Sequence, residues 1–168
     1  LRSVVEHYYR YRAPLLLAHA CHDLPRLLQL SVLRCDQPLT AEQAQTVALP
    51  EAGGTGAPRW EVAVGDQVCF TVHNRCGYGL YVTLLDAAAS GRVAVLGSSQ
   101  IPAGGRARFW QHEVLGRPFA VSLPDGGPVG VDRIVAIGTT VAGLDLSHLR
   151  LDPGFAELIR PGRDVPGR

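Results

Sequence analysis

Lysine and methionine are both missing from this chain of 168 residues, so all 16 of its basic residues are arginine. The absence of lysine excludes a Walker-type phosphate loop, whose lysine reaches the phosphates. The glycine-rich run Gly53, Gly54, Thr55 and Gly56 is therefore read as flexible chain. An arginine-only usage points to a GC-rich genome. No sign of charge dominates: 15 acidic residues leave a formal net charge of +1, with no electrostatic footprint for nucleic acid or an anionic membrane. Long apolar runs are also lacking. The stretch Pro14, Leu15, Leu16, Leu17 and Ala18 falls far short of the roughly 20 residues that span a bilayer. The first turns, with Arg2, Glu6, Arg10 and Arg12 among tyrosines, are not a signal peptide. These absences set the expectation of a cytoplasmic protein with neither nucleic acid nor membrane as partner. A chain that begins at Leu1 is expected to be one piece of a longer, modular protein.

Enzyme signatures are equally scarce. The sequence has no G-x-S-x-G elbow, no G-x-G-x-x-G after a strand and no H-E-x-x-H. Its four cysteines, Cys21, Cys35, Cys69 and Cys76, follow no metal-knuckle spacing, and free thiols are the expected state, with a Cys69–Cys76 bridge as the alternative. His19, Cys21, His22 and Asp23 form the densest group of metal-ligand types. A zinc or thiol site would need His73 and Cys76 as its second half. Asp66, Asp86 and Asp132 sit where turns and strand ends explain them without acid–base chemistry. No cofactor, metal or catalytic residue is assigned.

What is present is a pattern of short periods. Residues 1–20 follow helical spacing, with Leu1, Val4, Val5 and Tyr8 as the stripe expected to pack on the body of the protein or on a neighbour. Pro14 is expected to kink this helix or to open a second one. Residues 26–35 read as a strand, and 36–58, rich in Pro, Gly and Ala, as a loop insertion. From Trp60 the period becomes two, giving expected strands over 60–64, 68–72, 80–85, 92–96, 106–110, 119–123 and 133–139. Turn chemistry at Gly65, Gly77, Gly91, Gly104 and Gly126 separates them. The expected fold is mainly β, an antiparallel Ig-like sandwich of seven to eight strands with an N-terminal helix. The divisions are a helical segment over 1–25, the sandwich over 26–150 and a tail over 151–168.

Tyr8, Tyr9 and Tyr11 cannot all face one way on a helix, so at least one is expected to meet solvent or a partner. Tyr9, Tyr11, Trp60, Tyr78 and Trp110 are the candidate partner-contact residues. A small-molecule or carbohydrate pocket built on Trp60, Tyr81 and Trp110 is the rival reading.

One run of motifs is more telling. Gly65, Asp66, Val68, Phe70, Val72 and Asn74 spell G-D-x-V-x-F-x-V-x-N; Gly79 to Asp86 and Gly91 to Leu96 supply the two following strands; Ile101, Pro102, Ala103 and Gly104 form an I-P-A-G turn. A late strand holds Gly130, Asp132, Ile134, Ala136, Ile137, Thr139 and Thr140. Over residues 60–145 the chain resembles a bacterial domain of unknown function found downstream of caspase-like peptidase domains, and Tyr11, Arg12, Leu15 and Leu16 look like the helix that precedes it. The proline that relatives carry after Leu96 is missing here. The resemblance implies a non-catalytic accessory module whose partner is a caspase-like peptidase, in the same parent chain or complex, in a proteolytic signalling or defence pathway. No residue matches the peptidase dyad.

Overall fold

The fold is described from a computed structural model covering residues 2–17, 27–35, 60–110, 119–123, 130–152 and 154–159. Helix α1 (Arg2–Leu17) comes first, followed by β1 (Leu28–Cys35), β2 (Gln67–Asn74), β3 (Leu80–Ala87), β4 (Val93–Ile101), β5 (Arg106–Phe109) and β6 (Arg133–Thr139). A 3-10 turn (Ser147–Leu149) and helix α2 (Phe155–Ile159) close the described chain. Two antiparallel three-stranded sheets result, in the orders β1-β2-β5 and β4-β3-β6.

Period-two alternation sends Val68, Phe70 and Val72 of β2 and Leu80, Val82 and Leu84 of β3 into one shared core between the sheets, with Val32, Leu96, Ile101, Phe109 and Phe119. The opposite face of β3 is covered too. Leu85 and Val135 pack under Leu146, Leu149 and Leu15, while Ala87 and Val93 pack under Tyr11, Leu151, Leu15 and Phe155. The second sheet thus lies between the first sheet and a layer made of α1, the 3-10 turn and α2. This explains why β3 is buried along nearly its whole length instead of on alternate residues.

Strand β4 serves both cores by means of a bulge. Leu84 pairs with Gly97 and Leu85 with Val95, leaving Leu96 as the extra residue. Before the bulge Val93 and Val95 face the helical layer; after it Leu96 and Ile101 face the sheets. The polar run Gly97 to Gln100, read from sequence as loop, therefore continues β4, with Thr83 Oγ1 and Ser98 Oγ sharing a 2.9 Å hydrogen bond across it.

The chain crosses between sheets twice at one corner, after β2 and after β4, and Asn74 ties the two crossings together. Its Nδ2 donates to the carbonyls of Tyr78 (2.8 Å), Ile101 (3.1 Å) and Pro102 (3.1 Å), and its Oδ1 accepts from Cys76 N (2.9 Å). It is fully buried.

Six strands stand among the described residues, against the seven to eight expected. Residues 60–64 are not a strand. They are exposed throughout, and the chain turns at Gly65 (φ +93°), where Ala63 N donates to Asp66 Oδ2 at 2.7 Å. Residues 119–123 make a single bridge, Ala120 to Gln67, because only Phe119 and Val121 exchange backbone hydrogen bonds with the start of β2 and its turn. Pro14 neither ends nor restarts the helix, which runs through it.

Candidate functional site

Helix α1 has two faces of opposite use. The inner face is not the Leu1, Val4, Val5 and Tyr8 stripe expected from the sequence; Leu1 lies outside the described residues, and Val5 and Tyr8 are exposed. His7, Tyr11, Pro14 and Leu15 hold the helix down instead. His7 Nε2 lies 2.8 Å from the Gly91 carbonyl, and its ring meets Phe155 edge-on at 5.0 Å. Tyr11 donates a long hydrogen bond (3.5 Å) to the Ala87 carbonyl and meets Phe155 edge-on at 5.8 Å. Burial lifts the Tyr11 hydroxyl above its ordinary range, and the neighbouring Arg133 opposes the shift. Full burial of a leucine is worth roughly 1.5–3 kcal/mol, an upper bound for the half-buried Leu15.

The outer face carries the unusual residues. Val5 is 47 % exposed, Tyr8 46 %, Tyr9 70 % and Leu16 56 %. Val4, Val5, Tyr8, Tyr9 and Phe155 line an open groove of about 490 Å³ along the flank of the helix. Exposed apolar groups gathered on one element mark an interaction surface, whereas single ones do not. The groove has a cationic rim: the Arg12 guanidinium lies 5.7 Å from the Tyr8 ring centre and donates to the Tyr8 hydroxyl at 3.5 Å. Arg10 reaches the other way, to the carbonyl of His148 at 3.5 Å.

The candidate contact residues fall in different places. Tyr9 stands at the centre of the exposed face. Tyr11 is buried and anchors the helix, so it offers nothing to a partner. Tyr78 is exposed in the loop before β3, and Trp60 is exposed ahead of β2. Trp110 follows β5 and is partly buried. Of the residues of the rival pocket, Tyr81 belongs to β3 in one sheet, Trp110 follows the edge strand of the other and Trp60 precedes β2. Comparison with family models, curated proteins and solved structures returns no match.

A second group, polar and largely enclosed, sits at the β3–β4 end. Asp86 has Ala94 and Ile134 as its cross-strand neighbours, and its Oδ1 is buried with no hydrogen-bond partner. Burial, reinforced by the negative charge of Asp132, pushes its carboxyl up to about 7. Asp132 Oδ1 accepts from Ala89 N at 2.7 Å. The groove on α1 does not reach Asp86, whose side chain lies by parity with Val82 and Leu84 on the face between the sheets.

Cys69 and Cys76 are buried thiols that are not joined in a disulfide. Among the described residues no group of three or more His, Cys, Asp or Glu is placed to hold a metal, and no helix is long and apolar enough to cross a membrane. His19, Cys21 and His22 lie outside the described residues.

Two participants escape a reading of the sequence. Phe155, placed by sequence in a tail, is the ring on which His7, Tyr8 and Tyr11 converge. His7 is hidden among tyrosines. The signal for it is its i, i+4, i+7 and i+8 relation to Tyr11, Pro14 and Leu15, a stripe as regular as the one formed by Val5 and Tyr8.

Proposed function

We propose that this chain is a non-catalytic interaction module of a bacterial, cytoplasmic caspase-like cysteine peptidase, and that it docks a protein through the outer face of α1. The observation that carries the docking surface is the exposure of Val5, Tyr8, Tyr9 and Leu16 on a helix whose other face is already spent on the sandwich. The peptidase is supported by the run of motifs from Gly65 to Thr140 alone, and the Ig-like form of the sandwich belongs to the same proposal.

The test is a titration of a bacterial caspase-like peptidase domain against the labelled chain, held near 1 µM, with Tyr9→Asp as the comparison. Binding in the micromolar range that is lost in Tyr9→Asp supports both parts, since a micromolar complex corresponds to about 8 kcal/mol and a central aromatic anchor supplies a large share of it. No binding by the peptidase overturns the partner. Binding that Tyr9→Asp leaves intact overturns the docking face.

A further inference from the structure

The outer stripe of α1 reads Val5, Tyr9, Arg12 and Leu16, with spacings of four, three and four residues. That series is the same in both directions. Turned end for end against itself, it places Val5 opposite Leu16 and Tyr9 opposite Arg12, so that apolar meets apolar and a cation meets an aromatic ring. All four side chains are exposed. A parallel arrangement does the reverse, setting Arg12 on Arg12.

We propose that α1 pairs with α1 of a second copy of this chain, antiparallel, through Val5, Tyr9, Arg12 and Leu16. The proposal rests on the reading of this face as the docking surface and names an occupant that excludes the peptidase from it, so that self-association masks the site. Two features favour a second copy. The stripe is complementary to its own reversal, Val5 against Leu16 and the Arg12 cation against the Tyr9 ring, as a two-fold contact requires. The Tyr8 ring and hydroxyl also hold the Arg12 guanidinium against the helix surface, where a facing tyrosine meets it. From residue 5 to residue 16 the seam is about 16 Å long, small against stable interfaces, so a dissociation constant on the order of 10–100 µM is expected.

Sedimentation velocity on the whole chain, from about 1 µM to about 1 mM, reads this directly, because the range brackets the expected constant. The wild type is expected to pass from monomer to dimer, and Tyr9→Arg, which sets a cation against Arg12 twice across the seam, to stay monomeric. Arg12→Glu alone sets a carboxylate against the Tyr9 ring and is expected to weaken pairing at least about tenfold. An equimolar mixture of the two variants gains an opposite-charge contact, keeps one cation on a ring and is expected to pair. Both positions are exposed, so these changes leave the core untouched. A chain that remains monomeric at the highest concentration overturns the proposal. So does pairing that survives Tyr9→Arg, or a wild type that pairs while the mixture does not. Peptidase binding measured near 1 µM lies below the dimer range and tests that partnership separately.

Discussion

Replacing Asp86 with asparagine gives the sharpest test of the physical account. The carboxyl stands at about 7 in the folded chain against an ordinary value of 3.8, first because of burial and then because of Asp132. Between these two values the folded state keeps a proton that the unfolded state has lost, so stability falls as pH rises through the window and levels off above about pH 7. The slope is about 1.4 kcal/mol per pH unit, which amounts to roughly 4 kcal/mol across the window and about 3 kcal/mol between pH 5 and pH 8. An asparagine side chain carries no ionisable proton, and its amide provides a donor facing the same acidic neighbourhood. Urea unfolding at pH 5, 6, 7 and 8 is the assay. Asp86→Asn is expected to abolish most of the wild-type decline and to be the more stable protein at pH 8. A wild-type stability that does not fall between pH 5 and pH 8, or an equal fall in Asp86→Asn, refutes the reasoning.

Substitutions at three further positions probe the frame. Gly91→Ala drives a Cβ into the Phe155 ring at a position with φ of +84°, so a loss of about 2 kcal/mol or more is expected, with displacement of α2 visible as altered Phe155 resonances by NMR. Asn74→Ala removes the four hydrogen bonds made by the Asn74 side chain; urea unfolding is expected to show a loss of about 2–4 kcal/mol, and Asn74→Asp a larger one, since an acceptor then faces three carbonyls. His7→Ala breaks the link to the Gly91 carbonyl, and hydrogen exchange is expected to accelerate in α1 while β2 and β3 keep their protection.

The strands of the two sheets were legible because β2 and β3 carry apolar residues at period two, Val68, Phe70 and Val72 in one and Leu80, Val82 and Leu84 in the other, and the turns between them because Gly65, Gly91 and Gly104 supply positive φ. The extent of β4 was not. A bulge at Leu96 breaks the alternation and leaves a polar stretch that looks like loop until its partner strand is known. Residues 60–64 mislead in the opposite sense, since alternation alone does not guarantee a neighbour to pair with. On α1 the tyrosines stand out in the sequence, but the choice of face is decided by the Gly91 carbonyl and the Phe155 ring, 84 and more residues distant along the chain. Asn74 shows the converse case. Its place at the end of the alternating run Val68, Phe70, Val72 looks like strand chemistry, and its purpose is evident only when both sheet crossings meet at its side chain.

The two buried thiols described in the first sheet and its corner carry a clock for the molecule's own fluctuations. Cys69 sits within β2, whereas Cys76 sits in the crossing clasped by Asn74, and both are nearly sealed from water. A thiol reagent reaches Cys76 when that corner loosens and Cys69, which by parity lies on the face of β2 turned away from the shared core, when the cover of that face lifts. Labelling rates resolved by site therefore time two different openings in one unmodified chain, without any probe having to be introduced.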